Sequence, residues 1–453
     1  MDINTIILAA GQGTRMHSHR AKVLQKIGGQ PMLAHVLGTA AALGSTRRIV
    51  VYGFDGERVR QAFPDPTLSW VHQERQLGTA HAVLQAMTVI TDNPLVLVLY
   101  GDTPLMKQET LQALLDRVGE GIALLTAVVD NPDGYGRILR GADGTVEGII
   151  EHKDATAQQR RINEINTGVV ATRADRLRQW LASVDNNNAQ NEYYLTDIIK
   201  LAARDGVEIN AHVCGDTEQI MGINNRLQQA EAEAVFQRRQ CQRQMLAGVT
   251  MQRPDTVSIN GELVCGKDVT IEPNVIFNGN VSLGDEVTIG AGCVISNSAM
   301  GNGVSVLPYC VIEEARIADN CRIGPFARLR PETVLDEQAR VGNFVEIKKS
   351  TVGKRSKVNH LSYIGDTTIG TGVNVGAGTI TCNYDGANKH QTRIEDNAFI
   401  GSDTQLIAPV TIGAGTTVGA GSTITRDVEE GVLVLSRVTQ KTIKNWKRPV
   451  KKT

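Results

Sequence analysis

Residues 323–346 read Ile-Gly-Pro-Phe-Ala-Arg, Leu-Arg-Pro-Glu-Thr-Val, Leu-Asp-Glu-Gln-Ala-Arg and Val-Gly-Asn-Phe-Val-Glu, so one pattern recurs every six residues with an aliphatic residue first. Outward from this stretch the period extends from about Ile271 to Ile424, and the second position is often glycine. The residues that open the units are Ile271, Phe277, Leu283, Ile289, Ile295, Val306, Ile312, Ile317, Ile323, Leu329, Leu335, Val341, Ile347, Val352, Val358, Ile364, Ile369, Val375, Ile394, Ile400, Leu406, Ile412, Val418 and Ile424.

A period of six matches neither the 3.6 residues of a helical turn nor the alternation of a half-buried strand. It is typical of a parallel β-helix, in which each short strand contributes one inward aliphatic residue and the stacked coils bury a continuous apolar column. The alternative is a β-sandwich with glycine-rich turns, whose strands recur about every 8–12 residues. The shorter period favours the β-helix for the second half of the chain.

Composition limits the remaining possibilities. The 453 residues exceed one ordinary core, so we expect two or three domains. Lys+Arg (47) and Asp+Glu (48) nearly cancel, which argues against nucleic-acid or membrane partners. Seven scattered cysteines without CxxC or metal-ligand spacing indicate reduced thiols. With neither a secretion-signal pattern nor an apolar stretch of about 20 residues, the sequence predicts a cytoplasmic protein.

The N-terminal apolar run, residues 5–10, leads into Gly11-Gln12-Gly13-Thr14-Arg15. This pattern predicts a buried strand followed by a turn whose backbone N–H groups can approach phosphates, with Arg15 adding further donors. Met16 stands where the dinucleotide fingerprint has its third glycine, and no Gly-Lys-Ser/Thr follows as in a Walker loop. A plain strand-to-helix turn therefore remains an alternative at this point.

Further strand-like segments, residues 48–52 and 94–100, alternate with a helical stretch at residues 80–88. This order predicts a parallel sheet that binds ligands at the carboxyl ends of its strands. Asp102 follows the apolar strand of residues 95–99 and would lie at that edge. A carboxylate beside a triphosphate suits Mg²⁺, although a helix cap is the commoner role for such an aspartate.

Residues 225–247 contain neither proline nor glycine and are rich in Gln, Glu, Ala, Arg and Leu. This composition predicts a long helix that is polar on most sides, as in a connector between domains. We therefore predict a first domain at residues 1–226, a helical linker at 227–247 and a second domain at 248–453.

In the first half, Gly-x-Gly-Thr-Arg followed by Lys22-Val23-Leu24 resembles the opening signature of the sugar-phosphate nucleotidyltransferases, which implies a Rossmann-like α/β domain. Two departures are visible: the family usually has proline at Ala21 and glycine at Asn191. The resemblance implies that Asp102 and Asn224 hold Mg²⁺. The UTP and sugar-phosphate residues that it implies are Leu8, Ala9, Ala10, Gly11, Arg15, Lys22, Gln73, Gly78, Thr79, Tyr100, Gly101, Asp102, Gly136, Glu151, Asn166 and Asn224.

In the second half, charged and polar residues interrupt the small, apolar repeat. Arg330 and Lys348 lie about one 18-residue coil apart, so their like charges would stack on one face unless a phosphate lies between them. Solvated surface charge is the alternative. His360 lies between these cations and an insertion at residues 381–389, and histidine is the side chain most often used as a general base near neutral pH. A structural histidine is the alternative there.

The repeat resembles the hexapeptide acyltransferases, which implies a left-handed parallel β-helix and homotrimers with acyl-CoA sites between subunits. Over nearly all 453 residues the chain is similar to the bacterial bifunctional N-acetylglucosamine-1-phosphate uridyltransferases and glucosamine-1-phosphate N-acetyltransferases. This resemblance implies His360 as the catalytic base. The implied amino-sugar phosphate residues are Arg330, Lys348, Tyr363, Asn374 and Lys389, and the implied acetyl-CoA residues are Ala377, Asn383, Tyr384, Ser402, Ala420 and Arg437.

Two other functions remain open on the sequence. The β-helix could be a purely structural or regulatory trimerisation module of a nucleotidyltransferase, which would leave the His360 constellation unexplained. A non-enzymatic scaffold that binds sugar nucleotides would leave Asp102 and Asn224 without a metal to hold.

Overall fold

The computed structural model describes residues 2–449 and 451; Met1, Val450, Lys452 and Thr453 lie outside the described residues. The chain forms two compact units, Met1–Phe236 and Gln237–Thr453. The division falls within one helix, Arg226–Leu246, whose ends lie close to the predicted limits of the linker. In the part of the chain that the structure describes, no helix has the length and apolarity needed to cross a bilayer.

The first unit is an α/β domain. Its strands are β1 Ile3–Ala9, β2 Lys26–Ile27, β3 Gln30–Pro31, β4 Arg47–Tyr52, β5 Leu68–His72, β6 Leu95–Tyr100, β7 Ile122–Val128, β8 Arg137–Arg140, β9 Val146–Ile150, β10 Glu164–Arg173 and β11 Ile209–Val213. Its helices are α1 Met32–Ala42, α2 Gly56–Gln61, α3 Thr79–Met87, α4 Gln108–Leu115, α5 Ala174–Leu181, α6 Asp197–Arg204 and the first part of α7 Arg226–Leu246.

Nine of these strands form a mixed sheet in the order β11-β7-β10-β6-β1-β4-β5, with the β8–β9 hairpin attached to β10. β6, β1, β4 and β5 are parallel, whereas β10 runs antiparallel to β6 and β7. The central strands are apolar on both faces because helices cover both: Ile7 and Leu97 belong to one core, Ile6 and Val98 to the other. The sheet therefore presents the carboxyl ends of four parallel strands at one edge, as a Rossmann-like domain does.

Helix α7 is not polar on every side. In the first unit Ala232, Val235 and Phe236 pack with Ile27 and its neighbours in a small apolar cluster. In the second unit Cys241 joins the β-helix core, and Gln244 Nε2 donates to the backbone oxygen of Leu263 at 2.8 Å. The first half of α7 therefore packs against the first unit, and the second half packs against the β-helix core.

The second unit consists of short parallel strands, β12 to β39 in chain order. They are Thr250–Met251, Ser258–Cys265, Thr270–Ile271, Ile276–Leu283, Thr288–Ile289, Val294–Ser296, Ala299–Met300, Ser305–Val306, Val311–Glu313, Arg316–Ile317, Arg322–Ile323, Arg328–Leu329, Val334–Leu335, Arg340–Asn343, Glu346–Lys348, Thr351–Val352, Lys357–His360, Tyr363–Gly365, Thr367–Ile369, Asn374–Val375, Ile380–Cys382, Thr392–Ile394, Phe399–Ile400, Gln405–Ile407, Val410–Ile412, Thr417–Val418, Thr423–Ile424 and Leu433–Val434.

These strands build a near-closed parallel β-helix, as the repeat predicts. All the aliphatic and aromatic openers of the six-residue units lie in one buried core. Register pairs set the coil length: Ile271 pairs with Ile289, 18 residues on, and Ile289 with Val306, 17 residues on. Val375 pairs with Ile400, 25 residues on, because this coil contains the insertion. Thr381, predicted to open the insertion, instead belongs to strand Ile380–Cys382 and is buried.

Candidate functional site

Ten of the predicted nucleotide-site residues line one cavity of about 310 Å³ in the first unit. Most come from the ends of β1 and β6, the loop after β5 and the start of α3, which the parallel strand order brings to one edge, and Lys22 comes from the short turn Lys22–Leu24. These residues are Leu8, Ala9, Ala10, Gly11, Lys22, Gln73, Gly78, Thr79, Tyr100 and Asp102. The cavity is therefore built from the segments that the sequence predicts.

The glycine-rich turn is shaped by Gly13, whose φ of 63° is left-handed. A side chain there would approach Lys22 Cβ to 2.7 Å, so glycine allows the turn and Lys22 to pack together. Gly101 packs closely against β1: a Cβ there would lie 3.3 Å from the Leu8 oxygen, to which the Gly101 N–H donates at 2.9 Å. Arg15 is exposed and does not line the cavity, because the short turn Thr14–Met16 is anchored by the buried Met16 instead.

The three groups predicted to handle metal and phosphate meet directly. Lys22 Nζ forms an ion pair with Asp102 Oδ2 and donates to Asn224 Oδ1 at 3.0 Å. The backbone keeps the two oxygen donors together, because the Ile223 N–H donates to the Asp102 carbonyl at 3.0 Å. One ammonium group thus lies within reach of both predicted metal ligands, and this arrangement fits a cation held between a carboxylate and an amide oxygen.

No cluster of three or more His, Cys, Asp or Glu side chains suited to a metal ion occurs within residues 2–449 and 451. A divalent ion held by Asp102 and Asn224, as the sequence predicts, would have these two side chains as protein ligands and would need phosphate oxygens and water to complete its coordination. Mg²⁺ is commonly bound in that way.

The base-reading loop is held by its neighbours. Gln73 is buried, and its amide donates to the Gly78 oxygen at 3.1 Å. Gly78 has a φ of 120°, and a Cβ there would lie 2.5 Å from the Tyr193 oxygen, so only glycine fits against that backbone. Helix α3 begins at Thr79, whose hydroxyl accepts from the Leu195 N–H at 3.0 Å. These contacts hold the loop in place, and Gln73, Gly78 and Thr79 line the cavity.

The predicted sugar contacts lie around Tyr100, which also borders a small pocket containing Asn166. Gly136 lies against Glu151: a Cβ on Gly136 would be 3.5 Å from both carboxylate oxygens. Burial raises the pKa of Glu151, although the Thr196 hydroxyl, which donates to Oε1 at 3.0 Å, opposes the shift. Burial, together with the charges of Glu151 and Asp102, raises the pKa of Tyr100.

Both departures from the family pattern have a local explanation. Ala21 has φ −51° and ψ 140°, the conformation a proline would adopt, and its N–H donates to Asp55 Oδ2 at 3.2 Å. Asn191 has a φ of 55°, the left-handed region where glycine is favoured and asparagine is the next best residue. At position 21 the hydrogen bond to Asp55 holds the backbone conformation that a proline ring would impose. At position 191 asparagine tolerates the left-handed φ.

In the second unit, four predicted residues stack along one corner of the β-helix. Backbone hydrogen bonds run from Gly378 N to His360 O, from Asp403 N to Ala377 O and from Gly421 N to Ser402 O. His360, Ala377, Ser402 and Ala420 therefore occupy successive coils, each about 4.8 Å from the next. Arg437 Nη1 donates to the Ala420 oxygen at 3.0 Å. Four of the six predicted acetyl-CoA residues, Ala377, Ser402, Ala420 and Arg437, thus form a column that begins at the predicted base.

His360 itself is exposed and ends strand Lys357–His360. Its Nδ1 lies 2.8 Å from Asn343 Oδ1, one coil below, so the ring is held by a side chain that the sequence did not single out. Tyr363, three residues along the chain, begins the next face of the coil.

The predicted phosphate-binding cations lie at the far end of that face. Lys348 pairs in register with Gly365, and its ammonium lies beside that of Lys389 and lowers the pKa of Lys389. Arg330 is not a bare cation: Nη1 bonds Glu346 Oε1 at 2.8 Å, which raises the pKa of the guanidinium. Arg330 and Lys348 follow the register partners Leu329 and Ile347 in adjacent coils, as predicted, and Lys348 also lies beside a second ammonium, that of Lys389.

Asn383 and Tyr384, both predicted to bind acetyl-CoA, lie at the base of the insertion. Asn383 is buried and donates to Asp366 Oδ2 at 2.5 Å, which places it with the lysine cluster rather than with the column. Tyr384 is exposed, and its hydroxyl donates to the Gly386 oxygen at 2.6 Å. Asp385 accepts from the Asn388 N–H at 2.7 Å, a bond that with others lowers the pKa of Asp385 and closes the loop that carries Lys389.

Asn374 is half-buried and pairs with Lys357 and Phe399 in the adjacent coils. Residues that the sequence reasoning did not assign also take part in the two sites. They are Glu192 at the cavity, Asn343 at His360, and Glu346 and Asp366 at the cations. Of these, Asn343 was recognisable in principle, because it precedes His360 by 17 residues, the length of one coil.

Three family models match parts of the chain. Residues 5–190 match the MobA-like NTP transferase domain, residues 259–343 the GMPPB C-terminal domain and residues 391–426 the bacterial transferase hexapeptide (six repeats). Among solved structures, a nucleotidyl transferase from Methanothermobacter thermautotroptrophicus is 17% identical, with a TM-score of 0.39, and the alignment covers 52% of this chain and 99% of that one. The chain is therefore an enzyme with an N-terminal nucleotidyltransferase domain and a C-terminal parallel β-helix of hexapeptide-transferase repeats.

Proposed function

We propose that the protein makes a nucleotide sugar in two steps: acetyl-CoA-dependent N-acetylation of glucosamine 1-phosphate, followed by uridyl transfer from UTP to N-acetylglucosamine 1-phosphate with release of pyrophosphate. The observation that carries the proposal is the placement of His360. It starts a column of four predicted acetyl-CoA residues, and the next strand along the chain, Tyr363–Gly365, pairs in register with Lys348 of the Lys348–Lys389 pair. A purely structural β-helix has no need of either feature.

For acetyl transfer, the cations and the base have separate tasks. Lys348 and Lys389 are both cationic and repel each other. A sugar phosphate placed between them is attracted by both charges and offsets that repulsion. His360 takes a proton from the substrate amine as the nitrogen attacks the thioester carbon. The carbon–sulfur bond then breaks, and CoA leaves as the thiolate, which takes up a proton.

For uridyl transfer, we assign phosphate binding to the backbone of the Gly11 turn and to Lys22, and base recognition to the loop at Gln73 and Gly78. Glu151 and Asn166 would contact the sugar. Asp102 and Asn224 would hold Mg²⁺, which when bound neutralises phosphate charge as the sugar phosphate attacks the α-phosphorus. Lys22 pairs with the same two groups in the structure, so it is well placed to move onto the phosphates when the metal arrives.

We further propose that the enzyme is a homotrimer joined through the β-helix. An exposed apolar column supports this: Tyr309, Phe326 and Phe344 stack with ring centroids 5.3 and 5.4 Å apart, and Leu361 is exposed one coil further on. Exposed apolar surface of this kind is typical of protein interfaces. Light scattering on the full chain should give three times the monomer mass; a monomer mass at micromolar concentration contradicts this proposal.

A second candidate is a nucleotidyltransferase whose β-helix only assembles or regulates the protein. The match of residues 259–343 to the GMPPB C-terminal domain favours keeping it, because that stretch ends before His360. One assay separates the two: the purified chain receives glucosamine 1-phosphate, acetyl-CoA, UTP and Mg²⁺, and the release of CoA and of pyrophosphate is followed separately. The bifunctional proposal requires both products; pyrophosphate alone, formed only when N-acetylglucosamine 1-phosphate is supplied, supports the second candidate.

A further inference from the structure

His360 has a well-defined hydrogen-bond partner although its side chain is exposed. The ring atom Nδ1 lies 2.8 Å from Oδ1 of Asn343, and the two residues are register partners in adjacent coils. The backbone on either side is fixed, because Leu361 N donates to the Asn343 oxygen at 3.1 Å and the Ser362 hydroxyl donates to the His360 oxygen at 2.8 Å. The β-helix ladder therefore sets the position of both side chains.

This contact determines the tautomer of the neutral ring. An amide oxygen can only accept a hydrogen bond, so Nδ1 must carry the proton that is shared with Asn343. A neutral imidazole has one N–H, and Nε2 is then left with its lone pair. Nε2 is the nitrogen that points away from the coil partner and is free to take a proton from a substrate.

We propose that Asn343 is the positioning residue of the acetyl-transfer reaction: it fixes the Nδ1–H tautomer and the orientation of His360, so that Nε2 acts as the base. The inference rests on the acetyl transfer proposed above. Packing does not hold the ring, because His360 is exposed, and so its orientation depends on this hydrogen bond.

The chemical type of the partner supports the assignment. Elsewhere in the same unit His390 pairs with a carboxylate, that of Asp385, at 2.7 Å. A carboxylate stabilises an imidazolium, whereas a neutral amide stabilises neither charge state strongly. An asparagine partner therefore suits a base that must be unprotonated when the reaction begins, and the partner of His360 is asparagine, Asn343.

The test uses the full-length protein without substrates, with ¹⁵N-labelled histidine. The ring nitrogen shifts at alkaline pH distinguish a protonated from an unprotonated nitrogen at each site. The chain has nine histidines, so the signals of His360 are identified by their loss in His360→Gln. Asn343→Ala removes the acceptor and Asn343→Asp keeps it. Asn278→Ala is the matched control, because Asn278 is half-buried and bonds the adjacent coil through Ser296, far along the repeat from His360.

We expect Nδ1–H and an unprotonated Nε2 in the wild type, in Asn278→Ala and in Asn343→Asp, and loss of that single tautomer in Asn343→Ala. The kcat of acetyl transfer should fall about 10- to 100-fold in Asn343→Ala with little change in KM for acetyl-CoA. Asn343→Asp should recover most of the rate, with the acid limb of its pH profile moved to higher pH by the added negative charge.

An Nε2–H tautomer in the wild type, or an unchanged tautomer and rate in Asn343→Ala, overturns the inference. A chain that transfers no acetyl group in any form, yet shows the Asn343-dependent tautomer, contradicts the proposed function and leaves the positioning of His360 by Asn343 supported. The two failures are therefore distinguishable.

Discussion

At the scale of single residues, the backbone conformation at two positions accounts for side chains that differ from the family pattern. Ala21 already has the φ of a proline but uses its N–H, which a proline lacks, to bond Asp55. Asn191 adopts a left-handed φ that most side chains avoid. The same reasoning predicts what each substitution does to stability.

Replacing Ala21 by proline should lower the free energy of unfolding by about 1–2 kcal/mol, because the ring fits the backbone but the N–H to Asp55 is lost. In an Asp55→Gly background the acceptor is already absent, and glycine tolerates the φ of 54° found there. Ala21→Pro should then cost close to nothing. Equal costs in the two backgrounds, measured by chemical denaturation, would show that the hydrogen bond contributes nothing.

Asn191→Gly should leave the free energy of unfolding nearly unchanged, whereas Asn191→Val should lower it by about 1–2 kcal/mol because a β-branched side chain is strained at positive φ. Asn187→Val is the control: this neighbour is also exposed but has an ordinary φ. Thermal unfolding of the three variants compares them. If Asn187→Val is as costly as Asn191→Val, the backbone argument is incorrect.

At the scale of elements, the sequence predicts periodic structure well but predicts contacts between residues far apart in the sequence poorly. The six-residue repeat identifies the openers of the coils, and all of them are buried, because one inward residue per short strand is a local requirement. The apolar runs likewise locate β1 and β6. Nothing local predicts that Lys22 meets Asp102 and Asn224, which are 80 and 202 residues away. That contact depends on strand order and on a loop that precedes α7.

Helix α7 shows the same limit. Its composition predicts a polar connector, but Phe236 fits against the loop at Gly28 and meets the ring of His35 at 5.2 Å between centroids. A single half-buried aromatic residue in a polar helix has little effect on the average composition of the helix, so the sequence alone does not reveal this packing.

Gly28→Ala should therefore be far more costly than an ordinary glycine substitution. Gly28 has a φ of 55°, and an added Cβ would lie 2.0 Å from the Phe236 ring. We expect a loss of about 3 kcal/mol or more in the free energy of unfolding of the first unit. Gly44→Ala, with a φ of 73° and no atom within 4 Å, should cost only about 1 kcal/mol.

The measurement follows tryptophan fluorescence during denaturation in a Trp446→Phe background, which leaves Trp70 and Trp180 as reporters of the first unit. The double variant Gly28→Ala with Phe236→Ala should recover part of the loss. Equal costs for Gly28→Ala and Gly44→Ala would contradict the packing of α7 against this loop.

The burial of the His35 ring leads us to expect that acid destabilises this unit. Burial lowers the pKa of His35, against a smaller opposing effect of the bond to the Ile27 oxygen and of Glu233. The unfolded chain then binds a proton near pH 6.5 and the folded unit only at lower pH, so the free energy of unfolding should fall as pH drops below about 6.5. His35→Gln should weaken this dependence, and the exposed His19→Gln should not. Identical pH profiles for all three proteins contradict the assignment.

At the scale of the whole molecule, the two units carry separate predicted chemistries. The cavity, Lys22 and the pair Asp102 and Asn224 all lie in Met1–Phe236, whereas His360, its column and the lysine pair lie in Gln237–Thr453. Each unit has its own buried core. A substitution of a catalytic side chain in one unit should therefore leave the chemistry of the other intact.

The most direct test measures both reactions separately in Asp102→Ala and His360→Ala. Asp102→Ala should abolish uridyl transfer and keep acetyl transfer near the wild-type rate. His360→Ala should lower the kcat of acetyl transfer by about 10² to 10⁴ with little change in KM for acetyl-CoA, and should leave uridyl transfer from supplied N-acetylglucosamine 1-phosphate unchanged. Wild-type acetyl transfer by His360→Ala, or normal pyrophosphate release by Asp102→Ala, would contradict the assignment of two independent active sites in this chain.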